Sequence, residues 1–284
     1  MSDHKTFGGI PTENTQYESS KVVLLPIPYD GTSTYGKGAD LGPNAILSAA
    51  ENMELYDIET DSEVYLNGIY LAPEIKEKSS PEAVAKQVEA AVEKHLNQEK
   101  FVTILGGEHS VSIGAIRAFK SKYDALTVLQ LDAHSDLRPT YQGSTHNHAC
   151  ALHEASFTTN LVQVGIRSMD RVELPFLNKD TLFTSYDIRS NDYWQYDVIN
   201  CLGKKVYITI DLDVFDPSIM PSTGTPEPGG LLWNETLDLL KKVFSDCDVV
   251  GFDIVELAPK PSLSAPDFMA AKLYYKLLSY KYHL

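Results

Sequence analysis

The sequence predicts a single α/β domain built on a parallel sheet between two layers of helices, with right-handed crossovers. Three observations lead there. Apolar runs at 101–105, 125–131, 206–211 and 248–255 have the length of strands and are apolar on both faces, as strands of a parallel sheet are. Stretches of helical periodicity lie between them. Nowhere do the 284 residues turn rich in Pro, Gly or Ser or change composition, so nothing marks a boundary between domains.

In chain order, residues 22–26 (Val-Val-Leu-Leu-Pro) are expected as the first strand. The turn-rich loop Tyr29-Asp-Gly-Thr-Ser-Thr-Tyr-Gly-Lys-Gly-Ala-Asp-Leu-Gly-Pro43 follows, either free to approach a ligand or a plain surface connection. Its last two residues open a helix, where proline is tolerated in the first turn. A short strand is expected within 64–71 and a helix over 81–97. Residues 101–105 form a strand that ends in Gly106-Gly-Glu-His-Ser110, with Glu108 expected to serve the turn or to support the ligands from behind. After the strand at 125–131, a polar loop from Leu137 runs to a helix beginning near Asn147. Strands at 161–165 and 181–184 precede a helical stretch at 192–200. Beyond the strand ending at Asp211, four prolines rule out regular structure over 214–230. A helix over 234–244, the strand 248–255 and an amphipathic helix over 267–278 complete the chain.

The chemistry collects where strands end. Asp132-Ala-His-Ser-Asp136 follows one apolar run, and side chains two apart share a face while the chain stays extended. Val206-Tyr-Ile-Thr-Ile-Asp211-Leu-Asp213 repeats the arrangement, with Asp216 and Pro217 behind it. His109 stands just past a third strand, facing the crevice at the strands' carboxyl ends. Alone, each stretch also reads as a polar loop in which an Asp caps a helix or a His satisfies the core. Together they would bring four or five carboxylates to one place, and a pair of divalent cations is the simplest compensation. Oxygen-rich ligation with some imidazole suits such cations better than a thiolate-loving metal. The loop after Asp136 holds His146 and His148, with His153 further on, and one imidazole suffices to pass protons near neutral pH.

Composition narrows the partners. A formal net charge of −15 argues against nucleic acid and anionic membranes and is compatible with a small cationic substrate. Met1-Ser-Asp-His-Lys lacks the apolar core of a signal peptide, and no stretch reaches membrane-spanning length. Three cysteines, widely spaced and without a CxxC, indicate neither a disulfide framework nor a zinc ribbon. The cytoplasm is the expected compartment.

Four motifs in one order carry a family resemblance. Gly106-Gly-Glu-His-Ser110, Asp132-Ala-His-Ser-Asp136, Asp211-Leu-Asp-Val-Phe-Asp-Pro217 and Gly251-Phe-Asp-Ile-Val-Glu256 resemble those of the ureohydrolases, which include arginases and agmatinases. The likeness runs from about residue 22 to the C-terminus, one ureohydrolase domain over 1–284. It implies a three-layer α/β/α fold with an eight-stranded, mainly parallel sheet, and hydrolysis of a guanidino group at a dimanganese centre. By position, His109 and Asp136 would hold one Mn2+, His134 and Asp213 the other, with Asp132 and Asp211 bridging. The two ions would lower the pKa of the water between them. Asp136 would also align that nucleophile, Glu256 would hold the guanidinium, and His148, rather than His146, would carry the proton. The resemblance further implies a homo-oligomer, trimer or hexamer.

The substrate's far end is read from departures. An arginase-like Ser-Gly-Asn-Leu-His-Gly stretch is replaced by Gly143-Ser-Thr-His-Asn-His, while Thr225-Pro-Glu-Pro-Gly-Gly230 looks agmatinase-like. The Asn147-His-Ala-Cys and His153-Glu154 positions depart from the usual agmatinase pattern. Agmatine, cleaved to putrescine and urea in polyamine synthesis, is therefore the expected substrate. Guanidinobutyrate, whose carboxylate could use Arg138, or arginine comes next. A metal-binding member without catalysis and a single-zinc deacetylase relative are the remaining alternatives; the full ligand set and the second Asp of each motif speak against them.

Overall fold

A computed structural model describes residues 6–284, so the N-terminal residues considered for a signal peptide lie outside the described part. Eight strands form one sheet: β1 (Val22–Ile27), β2 (Ile69–Leu71), β3 (Phe101–Gly106), β4 (Leu126–Leu131), β5 (Asn160–Ile166), β6 (Leu182–Thr184), β7 (Lys205–Asp211) and β8 (Asp248–Val255). Their order is β2-β1-β3-β8-β7-β4-β5-β6, and every neighbouring pair is parallel.

Alternation along the strands sorts the core into two layers. From β1, Val22 and Leu24 join one apolar cluster and Val23, Leu25 and Ile27 the other. The first cluster packs under α1 (Gly42–Ala50), α6 (Trp194–Cys201), α7 (Trp233–Asp246) and α8 (Ala265–His283). Opposite lie α2 (Pro81–Leu96) and α3 (Val111–Lys122), which meet the sheet through Val84, Val88, Val92, Ala115 and Phe119. Two short helices, α4 (Ala155–Thr158) and α5 (Ser185–Ser190), lie near β5 and the edge strand β6.

Local structure departs from the sequence reading at four places. Residues 64–71 begin as a 3-10 turn, Val64–Asn67, because Gly68 turns the chain at φ +77° before β2. There a Cβ would come within 2.6 Å of the Ser20 Cα, so glycine is required. Near Asn147 no long helix forms. Asn147 caps a single 3-10 turn, His148–Cys150, by accepting from the Ala149 N–H at 3.1 Å. Helix α5, absent from the sequence reading, starts with a capping box between Thr184 and Asp187. Finally, α8 is not amphipathic: residues 273–280 are all buried. Lys276 survives there because its Nζ meets Asp57 at 3.0 Å and also pairs with Glu59.

The strand order positions the site. β3, β8, β7 and β4 are consecutive in the sheet, and each of the four motifs lies at the carboxyl end of one of them. Neighbouring strands are about 5 Å apart, so side chains from four distant segments can converge.

Candidate metal centre and active site

Two groups of ligand atoms form at these strand ends, one of His109, Asp132 and Asp211, the other of Asp132, His134 and Asp213. Nδ1 of His109 lies 3.1 Å from Asp132 Oδ2, 3.1 Å from Asp136 Oδ2 and 3.4 Å from Asp211 Oδ2. Nδ1 of His134 lies 2.9 Å from Asp213 Oδ2 and 3.7 Å from Asp132 Oδ1. Asp132 thus turns one oxygen to each group. Asp211 faces His109 and uses its other oxygen to accept the Asp213 N–H at 2.8 Å. All six ligand candidates from the sequence come together.

Backbone conformation places two of the acids. Extended alternation serves Asp132 and His134, but Asp136 adopts φ +54°, and this left-handed turn brings its carboxylate to His109. Glu256 does the same at φ +66°, and its Oε1 accepts the His109 N–H at 2.8 Å. Close backbone approach fixes the turn before His109. A Cβ on Gly107 would stand 1.9 Å from the Tyr29 carbonyl oxygen.

The donor set fits cations. His109 Nε2–H donates to Thr209 Oγ1 (2.9 Å), whose own hydroxyl donates to Asp253 (2.6 Å), leaving Nδ1 as the atom that faces the carboxylates. That Nδ1 is buried and has no hydrogen bond, although three carboxylates surround it. Each pair of carboxylates about 4 Å apart repels by about 4 kcal/mol at an effective dielectric of 20. Four aspartates against two imidazoles leave that repulsion uncompensated, and divalent ions would offset it. The electrostatics of the individual groups show the same imbalance. Burial and then Asp132 push Asp136 up to about 7. Asp211 rises well above the carboxylate range through burial and the charges of Asp213 and Asp132. Burial alone would lower His134, yet Asp213 and Asp132 raise it well above its ordinary value.

A cleft of about 260 Å³ opens over these groups, and Asp136, His148 and Glu256 line it. Its walls come from the loops after β1, β4, β5 and β7: Ser33 to Gly36, Arg138 with Tyr141, Ser168 to Asp170, and Gly224 with Thr225. Burial, then positive charge at His134 and His109, brings His148 down to about 4, so its ring is neutral at pH 7. His146 stands apart beside Thr145 and Glu82, and His153 bonds the Leu137 carbonyl and packs on Phe176. Asp216, the further acid of the second motif, lies outside the site. It orders the proline-rich loop by accepting the N–H groups of Ser218, Gly229 and Gly230.

Several supporting residues escaped the sequence reading. Glu173 braces the Asp136 turn by accepting the Leu137 N–H at 2.9 Å and a bond from the Ser135 hydroxyl. Gln130 donates to Asp132 Oδ2 at 2.7 Å. A polar residue inside an apolar strand was the available signal for Gln130, Thr209 and Asp253. Nothing comparable marks Glu173.

Ligand groups of this kind at the carboxyl ends of an all-parallel sheet define a metal-dependent α/β/α hydrolase. Residues 20–279 match the arginase family, and the chain belongs to that family. It is 35% identical over 277 residues to the N(1)-aminopropylagmatine ureohydrolase of Synechocystis sp., covering 94% of this chain and 90% of the relative. With the agmatinase of Pyrococcus horikoshii it shares 32% over 264 residues, 90% of each chain. The crystal structure of agmatine ureohydrolase of Thermoplasma volcanium superposes with a TM-score of 0.87 at 31% identity, over 98% of this chain and 94% of that one. The chain is thus a ureohydrolase of the agmatinase type, an enzyme that hydrolyses guanidino or amidino groups.

Proposed function

We propose that this enzyme hydrolyses agmatine to putrescine and urea with two Mn2+ ions held by His109, Asp132, His134, Asp136, Asp211 and Asp213. One observation carries the choice of substrate. Among the described residues that line the cleft, Arg138 is the single Lys or Arg, and its charge is already met by Asp170 (3.1 Å) and Glu173 (3.7 Å). A substrate carboxylate would enter without a free cation and lose its hydration unpaired, whereas a terminal ammonium meets acidic and aromatic walls.

When bound, the two ions supply a water deprotonated near neutral pH. Asp136 accepts a hydrogen bond from that nucleophile and holds it in line. Glu256, buried and without a cationic partner among its hydrogen bonds, receives the guanidinium by charge-assisted bonds. As the bond from the guanidino carbon to the alkyl nitrogen breaks, His148 Nε2 takes the proton that the added hydroxyl loses on becoming the urea carbonyl and passes it to the leaving amine. In this reading the enzyme is a cytoplasmic homo-oligomer, trimer or hexamer. Among the described residues, no helix is long and apolar enough to cross a membrane.

A second substrate is favoured by the name of the Synechocystis relative. N(1)-aminopropylagmatine presents the same guanidino group on a longer cationic tail, and the cleft is open at Tyr35, which is 83% exposed. Urea release from manganese-loaded enzyme decides between them. kcat/KM for agmatine should exceed that for arginine by at least ~10²-fold, or ~2.7 kcal/mol. A faster N(1)-aminopropylagmatine reaction would install the second substrate. A preference for guanidinobutyrate, or comparable values for arginine, would overturn the cationic-tail reading.

A further inference from the structure

We propose that Thr32 is the positioning residue for His148, its hydroxyl fixing the ring tautomer that leaves Nε2 available for proton transfer. The proposal rests on His148 being the proton carrier in the reaction above.

Three bonds meet at one oxygen. Thr32 Oγ1 donates to Glu108 Oε2 at 2.7 Å, accepts the His148 backbone N–H at 2.9 Å and lies 3.1 Å from His148 Nδ1. A hydroxyl has one proton and two lone pairs. Its proton is committed to the Glu108 carboxylate, which also accepts from Ser110 Oγ at 2.6 Å. The remaining lone pair can serve Nδ1 only if Nδ1 carries the hydrogen. A neutral imidazole has a single ring N–H, so Nε2 is then the acceptor. Glu108 cannot do this directly, because its Oε2 is 3.9 Å from Nδ1.

The hydroxyl is held independently of His148. Two residues before it, Asp30 Oδ2 accepts the N–H groups of Gly38 (2.7 Å) and Ala39 (3.2 Å). Four residues after it, the Gly36 N–H donates to the Gly224 carbonyl at 3.2 Å. The Tyr29 carbonyl accepts the Glu108 N–H at 2.8 Å, tying the loop's start to the motif that also carries His109. Ser33 to Gly36, one wall of the cleft, follow directly in the chain. One rigid loop therefore both shapes the cleft and orients the imidazole.

Thr32→Val keeps the shape and removes the hydroxyl, while Thr32→Ser keeps the hydroxyl. Thr32→Val should lower kcat roughly 10- to 10²-fold, part of the usual 10²–10⁴ of a general acid or base, and shift the pH profile of kcat. KM and manganese content should stay near wild type, and Thr32→Ser should restore most of the activity. Equal losses in both variants, or none in Thr32→Val, would overturn the proposal. Nitrogen-15 NMR of histidine-labelled enzyme loaded with diamagnetic zinc reads the tautomer without turnover; the Nε2–H form at His148 would also overturn it. Should wild type release no urea from any guanidino compound, the proposed reaction fails, and the NMR result still decides what Thr32 does.

Discussion

At the scale of single residues, Asp132 is the pivot of the site. Its Oδ2 faces His109 and its Oδ1 faces His134, and Gln130 Nε2 and the His134 N–H hold it in that pose. Asp213 touches one group only. Wild type should therefore bind about two manganese ions per chain, Asp213→Asn about one, and Asp132→Asn fewer than one. Elemental analysis after dialysis measures this, and two ions retained by Asp132→Asn would exclude a shared ligand. These aspartates were legible in the sequence because each sits one or two residues past an apolar run, where a strand must end. What could not be read was the left-handed backbone at Asp136 and Glu256, since neither is a glycine or an asparagine. Nor could Thr32 be read, because no local pattern ties residue 32 to residue 148.

At the scale of elements, α8 shows why periodicity misled. Its lysines, Ser279 and Asp267 suggest a polar face, yet residues 273–280 are enclosed. Lys276 is buried with Asp57, and the same Nζ reaches Glu59, which Tyr280 also bonds at 2.8 Å. Lys276→Met would leave the Asp57 carboxylate buried without its cation, a loss on the order of 3–5 kcal/mol in urea denaturation. Burial opposes ionisation of Glu59, but Lys241, Lys276 and Tyr280 overcome it and bring it down to about 2; Asp57 is lowered by Lys276 as well. Depressed carboxylates stabilise the fold above their unfolded pKa of about 4 and stop doing so as pH falls toward 2. The wild-type midpoint should thus drop between about pH 4 and pH 2, and Lys276→Met should flatten that drop. An unchanged acid limb in the variant would refute this account. The buried strands were the readable elements, and α5 was missed although its Thr184-Ser-Tyr-Asp187 box is a start signal.

At the scale of the molecule, the metal-ligand groups tie together the ends of three strands, β3, β4 and β7, whose ligands lie between residues 109 and 213. An ion that binds this arrangement and not the unfolded chain adds about 2.7 kcal/mol at a hundredfold excess over its dissociation constant. For a chain of this size that corresponds to a rise in melting temperature of roughly 4–5 °C per site. Differential scanning calorimetry with and without manganese checks it, and an unmoved midpoint would mean that the ligands are not brought together by folding alone. Three layers were foreseeable from alternating strands and helices. The order of the strands was not, because crossovers of similar length connect near and distant neighbours alike.

That order has a consequence for how the protein is made. β8 is the last strand to be synthesised, yet it lies between β3 and β7. Until the ribosome has delivered residues 248–255, β2-β1-β3 and β7-β4-β5-β6 have no strand to join them, and β3 and β7 would each present a bare edge that the finished sheet covers. The nascent chain thus carries both halves of its metal-ligand set without a closed site. The last strand zips the halves together and delivers Glu256 in the same event, so an interrupted chain is an exposed one and only a finished chain can hydrolyse anything.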